Sequence, residues 1–472
     1  MGRFSLKLAF FVLGFSFMLL KINELFSLGT PLVFAASLLL PAAVLGGLAW
    51  RSVDSFARSW PVVLCVAIST VGMLYAGVGE NRRGIAAATY LILALPIAGL
   101  IVKHRCWWLC TKVYVLANAS ALAWALWLEY RQHGVALFFS ARRFGFLWSS
   151  DRTMKLANPN MVGIQLAFAA VLAFALYLKE TSRAAETPGA PRRGGLLALS
   201  CLGLLVLGCV LTASRGAFVA MAAGLVVLLL WETKNQVPSR LRGLVAAGCV
   251  LASLMAFVVV SSDFRPWRAL GSRLDSIAGV LTASGRVNLW IKAYHAWQSD
   301  PRVFWIGTGT GTAPEMLSLA NRFTMGDGVT LCPIDTHNTF CEWVLSYGML
   351  GLAAGVPLVF VVVRRAQRLD RRDGMVTRRA ILLCLFLTAM NLVTFYDMFF
   401  VAVGALVLAM LSDPPPLPAS SQAPACVHPG CQGRLVRPCD PEQRQPSCRW
   451  HPATFSDPPP LPQPNRAPCT GS

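Results

Sequence analysis

Apolar runs long enough, or nearly long enough, to cross a hydrocarbon core of roughly 30 Å recur from Phe4 to Leu411. There are about twelve, near residues 4–20, 31–50, 60–78, 84–102, 107–128, 160–178, 195–213, 217–231, 243–261, 345–363, 380–395 and 398–411. They predict an all-α polytopic membrane protein, in which the shorter spans need neighbours or snorkelling flanks to match the bilayer. Composition leaves little room for another class: 55% of the residues are hydrophobic, 14% are charged, and the mean hydropathy is +0.56.

Lysine and arginine in the short connections set the orientation. Arg51 and Arg58, then Lys103 and Arg105, then Lys179, Arg183, Arg192 and Arg193, then Lys234, Arg240 and Arg242, fall in alternate connections. These are expected on the cytoplasmic side. The stretch from Arg364 to Arg379 carries seven arginines and fixes the C-terminal half, which places the long hydrophilic loop before it outside. The first span, with Arg3 and Lys7 ahead of it, resembles a signal peptide, but Lys21-Ile22-Asn23-Glu24 follows it without a small-residue cleavage site. It is read as retained.

The formal charge of +20 is mostly this topogenic arginine, so no nucleic-acid partner is expected. Of the 14 cysteines, many, such as Cys65, Cys201, Cys209, Cys249 and Cys384, sit inside spans and act as small apolar side chains. No disulfide framework is visible.

Six regions follow. Residues 1–128 form an N-terminal transmembrane bundle, and 129–159 a basic, aromatic outward loop. Residues 160–261 are central transmembrane helices, 262–344 a large outward loop, and 345–411 the C-terminal transmembrane helices. Residues 412–472 are a Pro-rich cytoplasmic tail, disordered by composition, in which Ser412 to Pro418 is repeated letter for letter at Ser456 to Pro462. The tail's cysteines and histidines, from Cys426 to His451, match no familiar zinc spacing.

The loop over 129–159 interleaves Arg131, Arg142, Arg143, Arg152 and Lys155 with Phe138, Phe139, Phe144, Phe146 and Trp148, an interfacial pattern suited to an anionic lipid. In the second loop, Leu289, Ala293 and Ala296 recur at helical spacing and predict a helix from Arg286 to Ser299. Gly307-Thr308-Gly309-Thr310-Gly311 lacks the Lys-Ser/Thr ending of a nucleotide-binding loop and reads as a flexible turn.

Three side chains suit phosphate and proton chemistry at the outer face. Arg215, in the short break Thr212-Ala213-Ser214-Arg215-Gly216, and Arg286, at the start of the loop helix, offer forked donors that match diphosphate oxygens. His337, in Asp335-Thr336-His337-Asn338-Thr339, is suited to act as general base for a hydroxyl nucleophile. Asp335 or Thr336 is expected to cap the helix starting near Asn338, and Asp335 to orient the imidazole.

Ser284-Gly285-Arg286 followed by Leu289-Trp290, Pro301, Gly307-x-Gly309-x-Gly311, then His337-Asn338-Thr339-Phe340 with Glu342, Gly348 and Gly351, resembles the O-antigen ligase and polymerase family. Asn158-Pro159-Asn160 and Ser214-Arg215-Gly216 fit the same pattern, and the resemblance runs from about residue 155 to 400. It implies an inner-membrane glycosyltransferase of the GT-C type acting at the periplasmic face without a metal or other cofactor. The donor implied is a glycan on undecaprenyl diphosphate, with His337 as catalytic base and Arg215 and Arg286 on the donor diphosphate.

Three acceptors remain open within that family: lipid A-core for a ligase, a carrier-linked repeat for a polymerase, and a protein hydroxyl for an O-oligosaccharyltransferase. Arg142, Arg143 and Arg152 favour the ligase, because they form a basic, aromatic-rimmed surface for a phosphorylated lipid acceptor. A lipid-linked-sugar transporter would bury charges within its spans, whereas Lys7, Lys112 and Lys292 lie near segment ends. The chain is expected to work as a monomer among membrane lipids.

Overall fold

The computed structural model describes residues 6–8, 10–11, 64–65, 67–68, 71–72, 94–134, 159–186, 193–212, 214–232, 286–313, 316–317, 323–325, 328–330, 336–373, 377–390 and 399–412. Their architecture is helical: α1 Trp107–His133, α2 Pro159–Glu186, α3 Arg193–Leu211, α4 Arg215–Glu232, α5 Arg286–Gln298, α6 Pro301–Ile306, α7 Thr339–Asp373, α8 Thr377–Ala389 and α9 Phe399–Leu411. One short antiparallel hairpin, β1 Phe323–Met325 with β2 Gly328–Thr330, lies between α6 and α7, with Phe323 opposite Thr330.

Four segments among the described residues are long and apolar enough to cross a membrane: Trp107–Leu128, Asn160–Arg183, Arg193–Leu211 and Thr339–Arg372. Shorter apolar helices cover Ala94–Lys103, Gly216–Leu230 and Val401–Leu411. Helices are what apolar surroundings demand, because each one satisfies its backbone N–H and C=O groups internally. The spans expected near 4–20, 31–50, 60–78 and 243–261 fall largely outside the described residues, as does the tail.

The main core joins α1, α2, α3, α4, α8 and α9 around Tyr114, Phe168, Leu122, Leu172, Leu205 and Cys384. Small residues set the closest approaches. A Cβ on Gly224 of α4 would sit 2.7 Å from a methyl of Val171, and one on Gly208 of α3 would sit 2.4 Å from Leu122. Such close packing is how helices associate where lipid removes the hydrophobic drive between them. One polar staple crosses this core: Gln165 Nε2 donates to Asn118 Oδ1 (2.9 Å), and Asn118 Nδ2 donates to the Tyr114 carbonyl (2.9 Å). Leu196, Leu197 and Leu199 of α3, and Val356, Val359 and Phe360 of α7, remain exposed, as lipid-facing side chains would be.

Successive helices reverse direction, so the bundle has a basic end and a far end. At the basic end Trp107 Nε1 donates to the Leu406 carbonyl (2.9 Å), while Arg365 Nε and Arg378 Nε donate to the Leu411 and Met410 carbonyls (3.1 and 3.0 Å). These arginines satisfy carbonyls that the last turn of α9 leaves without an intrahelical donor.

Asp370 belongs to this arrangement and is buried, with only 1% exposure. An acid among arginines would ordinarily sit at the surface, where it would snorkel or form exposed salt bridges. The Asp370 carboxylate accepts from the Arg378 and Arg379 backbone N–H groups (3.2 and 3.1 Å) and from their guanidinium groups (3.4 and 3.1 Å). It thus caps α8 from the end of α7 and fixes the turn between them. Asp370→Ala should cost about 3 kcal/mol by leaving the half-buried arginines uncompensated. A lowered thermal midpoint of the detergent-purified protein is the expected result.

At the far end a second, smaller core forms from Ala293, Ala296, Ala313, Leu317 and Leu345, with Trp297 and Met316 against it. The helix expected over Arg286 to Ser299 is α5, ending at Gln298. The chain then turns through Asp300, whose side chain accepts from Arg302 N (2.8 Å) as the cap of α6, with Pro301 in the first helical position. Trp297 stacks on Phe304, with centroids 4.8 Å apart, and donates to its carbonyl (3.0 Å).

Candidate functional site

Two local breaks in regular structure build the far-end site. The first is at Gly348 (φ 56°, ψ −147°), which interrupts α7 after its first nine residues, Thr339 to Tyr347. In an unbroken helix the Leu345 and Ser346 carbonyls would bond four residues ahead. Here they accept from outside the helix, from Thr308 N and Gly309 N, both at 2.9 Å.

The glycine-rich segment is therefore an ordered latch against the kink, which corrects its reading as a flexible turn. Gly307, Gly309 and Gly311 all have positive φ (79°, 99° and 85°). A Cβ on Gly307 would lie 2.3 Å from the Ser346 carbonyl, and one on Gly348 would lie 2.6 Å from the Phe304 oxygen. Thr310 completes the lock, its hydroxyl 2.9 Å from the Tyr347 hydroxyl and its N–H donating to Gly72 O (3.2 Å).

The second break is at His337, half-buried, with its Nδ1 buried and its backbone left-handed at φ 52°. That conformation is uncommon for a residue with a Cβ and costs on the order of 1–2 kcal/mol, so neighbouring contacts must hold it. They do so on both sides. Asn338 Oδ1 accepts from Phe340 N and Cys341 N (2.8 and 3.2 Å), and the Asn338 carbonyl accepts from Glu342 N (3.0 Å). Asn338 itself is thus the N-cap of α7, two positions after Thr336 and three after Asp335, the two caps expected from the sequence. Thr336 is fully buried: its hydroxyl meets Glu342 Oε2 (3.1 Å) and the Asn338 carbonyl (2.9 Å), while its own carbonyl accepts from Trp290 Nε1 (3.2 Å).

Trp290 ties α5 to this turn, and Arg286 opens α5 one helical turn earlier. The start of α5 and the His337 turn are thus linked through Trp290. Arg215 opens α4 at the same end of the bundle, behind the turn in which Thr212 Oγ1 donates to Cys209 O (2.7 Å). That turn presses on Gly163 of α2, where a Cβ would meet Thr212 Oγ1 at 2.7 Å. The link between the two regions runs through α8, which packs on α4 and places Phe386 5.3 Å, centroid to centroid, from Phe340 in the first turn of α7. The side chains of Arg215 and Arg286, together with Asp335, Arg142, Arg143 and Arg152, lie outside the described residues.

Beside the turn lies a cavity of about 260 Å³, walled by Trp290, Tyr294 and Trp297 of α5 and by Phe340, Val344 and Leu352 of α7. The three α5 aromatics lie four and three residues apart and so form one stripe on that helix. Sequence reading marked Trp290 and Glu342 as parts of a pattern but gave neither a role. Besides that pattern, position 342 stands out in the sequence as a carboxylate in an otherwise apolar segment.

The architecture and this site define a helical membrane protein whose conspicuous groups cluster at one end of the bundle. Residues 199–356 match the family model described as O-Antigen ligase, which bears out the resemblance seen in the sequence. The match supports a glycosyltransferase-like activity of the ligase or polymerase type. No curated protein matches the chain.

Proposed function

We propose that the protein is an O-antigen ligase that transfers a glycan from undecaprenyl diphosphate to a sugar hydroxyl of lipid A-core, at the periplasmic face of a bacterial inner membrane. The observation that carries this is the family match, whose span includes Arg215, Arg286 and His337 together. The basic end of the bundle, with the Arg364 to Arg379 cluster, would face the cytoplasm, which puts the His337 turn outside.

In this reading His337 takes the proton from the acceptor hydroxyl as its oxygen attacks the anomeric carbon of the donor glycan. The bond from that carbon to the diphosphate oxygen breaks, and undecaprenyl diphosphate leaves with the bonding electrons. Arg215 and Arg286 stabilise the charge that develops on the leaving oxygens. The apolar, aromatic cavity beside Trp290 suits hydrocarbon of the lipid carrier better than a sugar, whose hydroxyls would need polar partners. Arg142, Arg143 and Arg152 would meet the phosphorylated acceptor lipid. In the described span segments the buried polar groups midway through the bundle are uncharged, Asn118 and Gln165 among them, which favours this reading over a transporter.

Lipopolysaccharide gels of a strain lacking the gene test the assignment. A ligase mutant loses the long-chain ladder while polymer accumulates on the carrier lipid. A single capping unit on lipid A-core would instead mark a polymerase. The diphosphate contacts have their own test in charge-preserving replacements. Arg215→Lys and Arg286→Lys keep the charge but lose the fork, so each should lower kcat/KM on the order of 10-fold or more. Full activity in Arg286→Lys would reduce that residue to a point charge.

A further inference from the structure

We propose that Glu342 is a positioning residue, whose buried carboxyl group anchors Thr336 and thereby holds His337 in its left-handed turn. This rests on the reading of His337 as the base. Glu342 has 0% exposure, and an acid is placed in such a site at considerable cost unless its hydrogen bonds return it. It lies in the first turn of α7, where backbone N–H groups point toward the helix start and favour negative charge. From there Oε2 reaches the Thr336 hydroxyl at 3.1 Å, six residues back across the turn.

The same hydroxyl accepts from Asn338 N (3.3 Å) and lies 2.9 Å from the Asn338 carbonyl. Thr336 and Asn338 therefore grip His337 from both sides, and among the described residues Glu342 is the group outside the turn that fixes Thr336 through its side chain. Trp290 fixes Thr336 through its carbonyl. Remove the carboxyl group, and the hydroxyl keeps only its contacts with Asn338 inside the turn, so the φ 52° conformation at His337 gives way to more extended backbone. The imidazole then moves relative to the acceptor oxygen. A displacement near 1 Å is enough to cost on the order of 100-fold in rate.

The test compares kcat and KM of purified Glu342→Ala, Glu342→Gln, Thr336→Val and the double variant Thr336→Val/Glu342→Ala with those of His337→Ala and wild type. The substrates are undecaprenyl-diphosphate-linked glycan and lipid A-core. Glu342→Ala and Thr336→Val should each lose about 100-fold in kcat, with the donor KM changed less than about 2-fold. The double variant should be no worse than either single one, because both break the same contact. Glu342→Gln keeps an oxygen that accepts from Thr336 and should recover most of kcat. If Glu342→Ala does not fold, Glu342→Gln and Thr336→Val still divide the outcomes.

Full activity in Thr336→Val or Glu342→Ala beside an inactive His337→Ala would overturn the positioning role and leave the base intact. A Glu342→Gln variant as poor as His337→Ala would also overturn it, by showing that charge is what matters. Activity in His337→Ala would remove the base itself, and the positioning role with it.

Discussion

His337→Ala is expected to lower glycan transfer by on the order of 100- to 10,000-fold, the usual range for loss of a general base, while the protein still inserts and purifies normally. Selective loss is expected because the turn is held by groups that do not belong to the imidazole. Asn338 caps α7, Thr336 bonds Glu342, and Trp290 bonds the Thr336 carbonyl. Alanine at φ 52° adds no clash and leaves those bonds in place. The check is turnover per mole of monodisperse protein. Near-normal turnover would mean that the hydroxyl proton leaves by another route.

Gly307→Val should have the largest effect on stability. It combines a φ of 79°, which branched residues resist, with a Cβ built 2.3 Å from the Ser346 carbonyl, whose backbone cannot swing aside as a flexible side chain would. The latch would open, and the Leu345 and Ser346 carbonyls would lose the Thr308 and Gly309 donors. About 4 kcal/mol is expected, at the high end for a single substitution. Gly203→Ala is the matched control, since a Cβ there meets nothing within 4 Å and alanine favours the interior of α3. Thermal melts of the two purified variants should therefore move far apart. Equal midpoints would show that the latch is dispensable.

Much of this was legible in the chain. The apolar runs from residues 107 to 128, 160 to 178 and 195 to 213 lie within α1, α2 and α3 or end within two residues of them, because membrane-length helices announce themselves by hydropathy alone. The loop helix from Arg286 was visible in its spacing, and the His337 turn in its polar residues ahead of an amphipathic stretch. The break at Gly348 was not, because a glycine in an apolar run is tolerated in a helix, and only its contact with Phe304 and Gly307 shows why it is needed. The same holds for Asp370 and Glu342. Each looks like an ordinary polar residue at the end of a segment, and its burial follows from partners six to nine residues away in the turned chain. Long-range relations, such as Thr310 with Gly72, carry no local signal at all.

The central claim is metal-independent transfer from a lipid diphosphate to lipid A-core, with His337 taking the proton. It is tested most directly by incubating purified protein with undecaprenyl-diphosphate-linked glycan and lipid A-core in chelator, and resolving the products by mass spectrometry. The account predicts lipid A-core extended by the whole glycan, equal yield with and without chelator, and no product from His337→Ala. Elongated carrier-linked glycan with unmodified lipid A-core, or a yield restored only by added divalent metal, would contradict it.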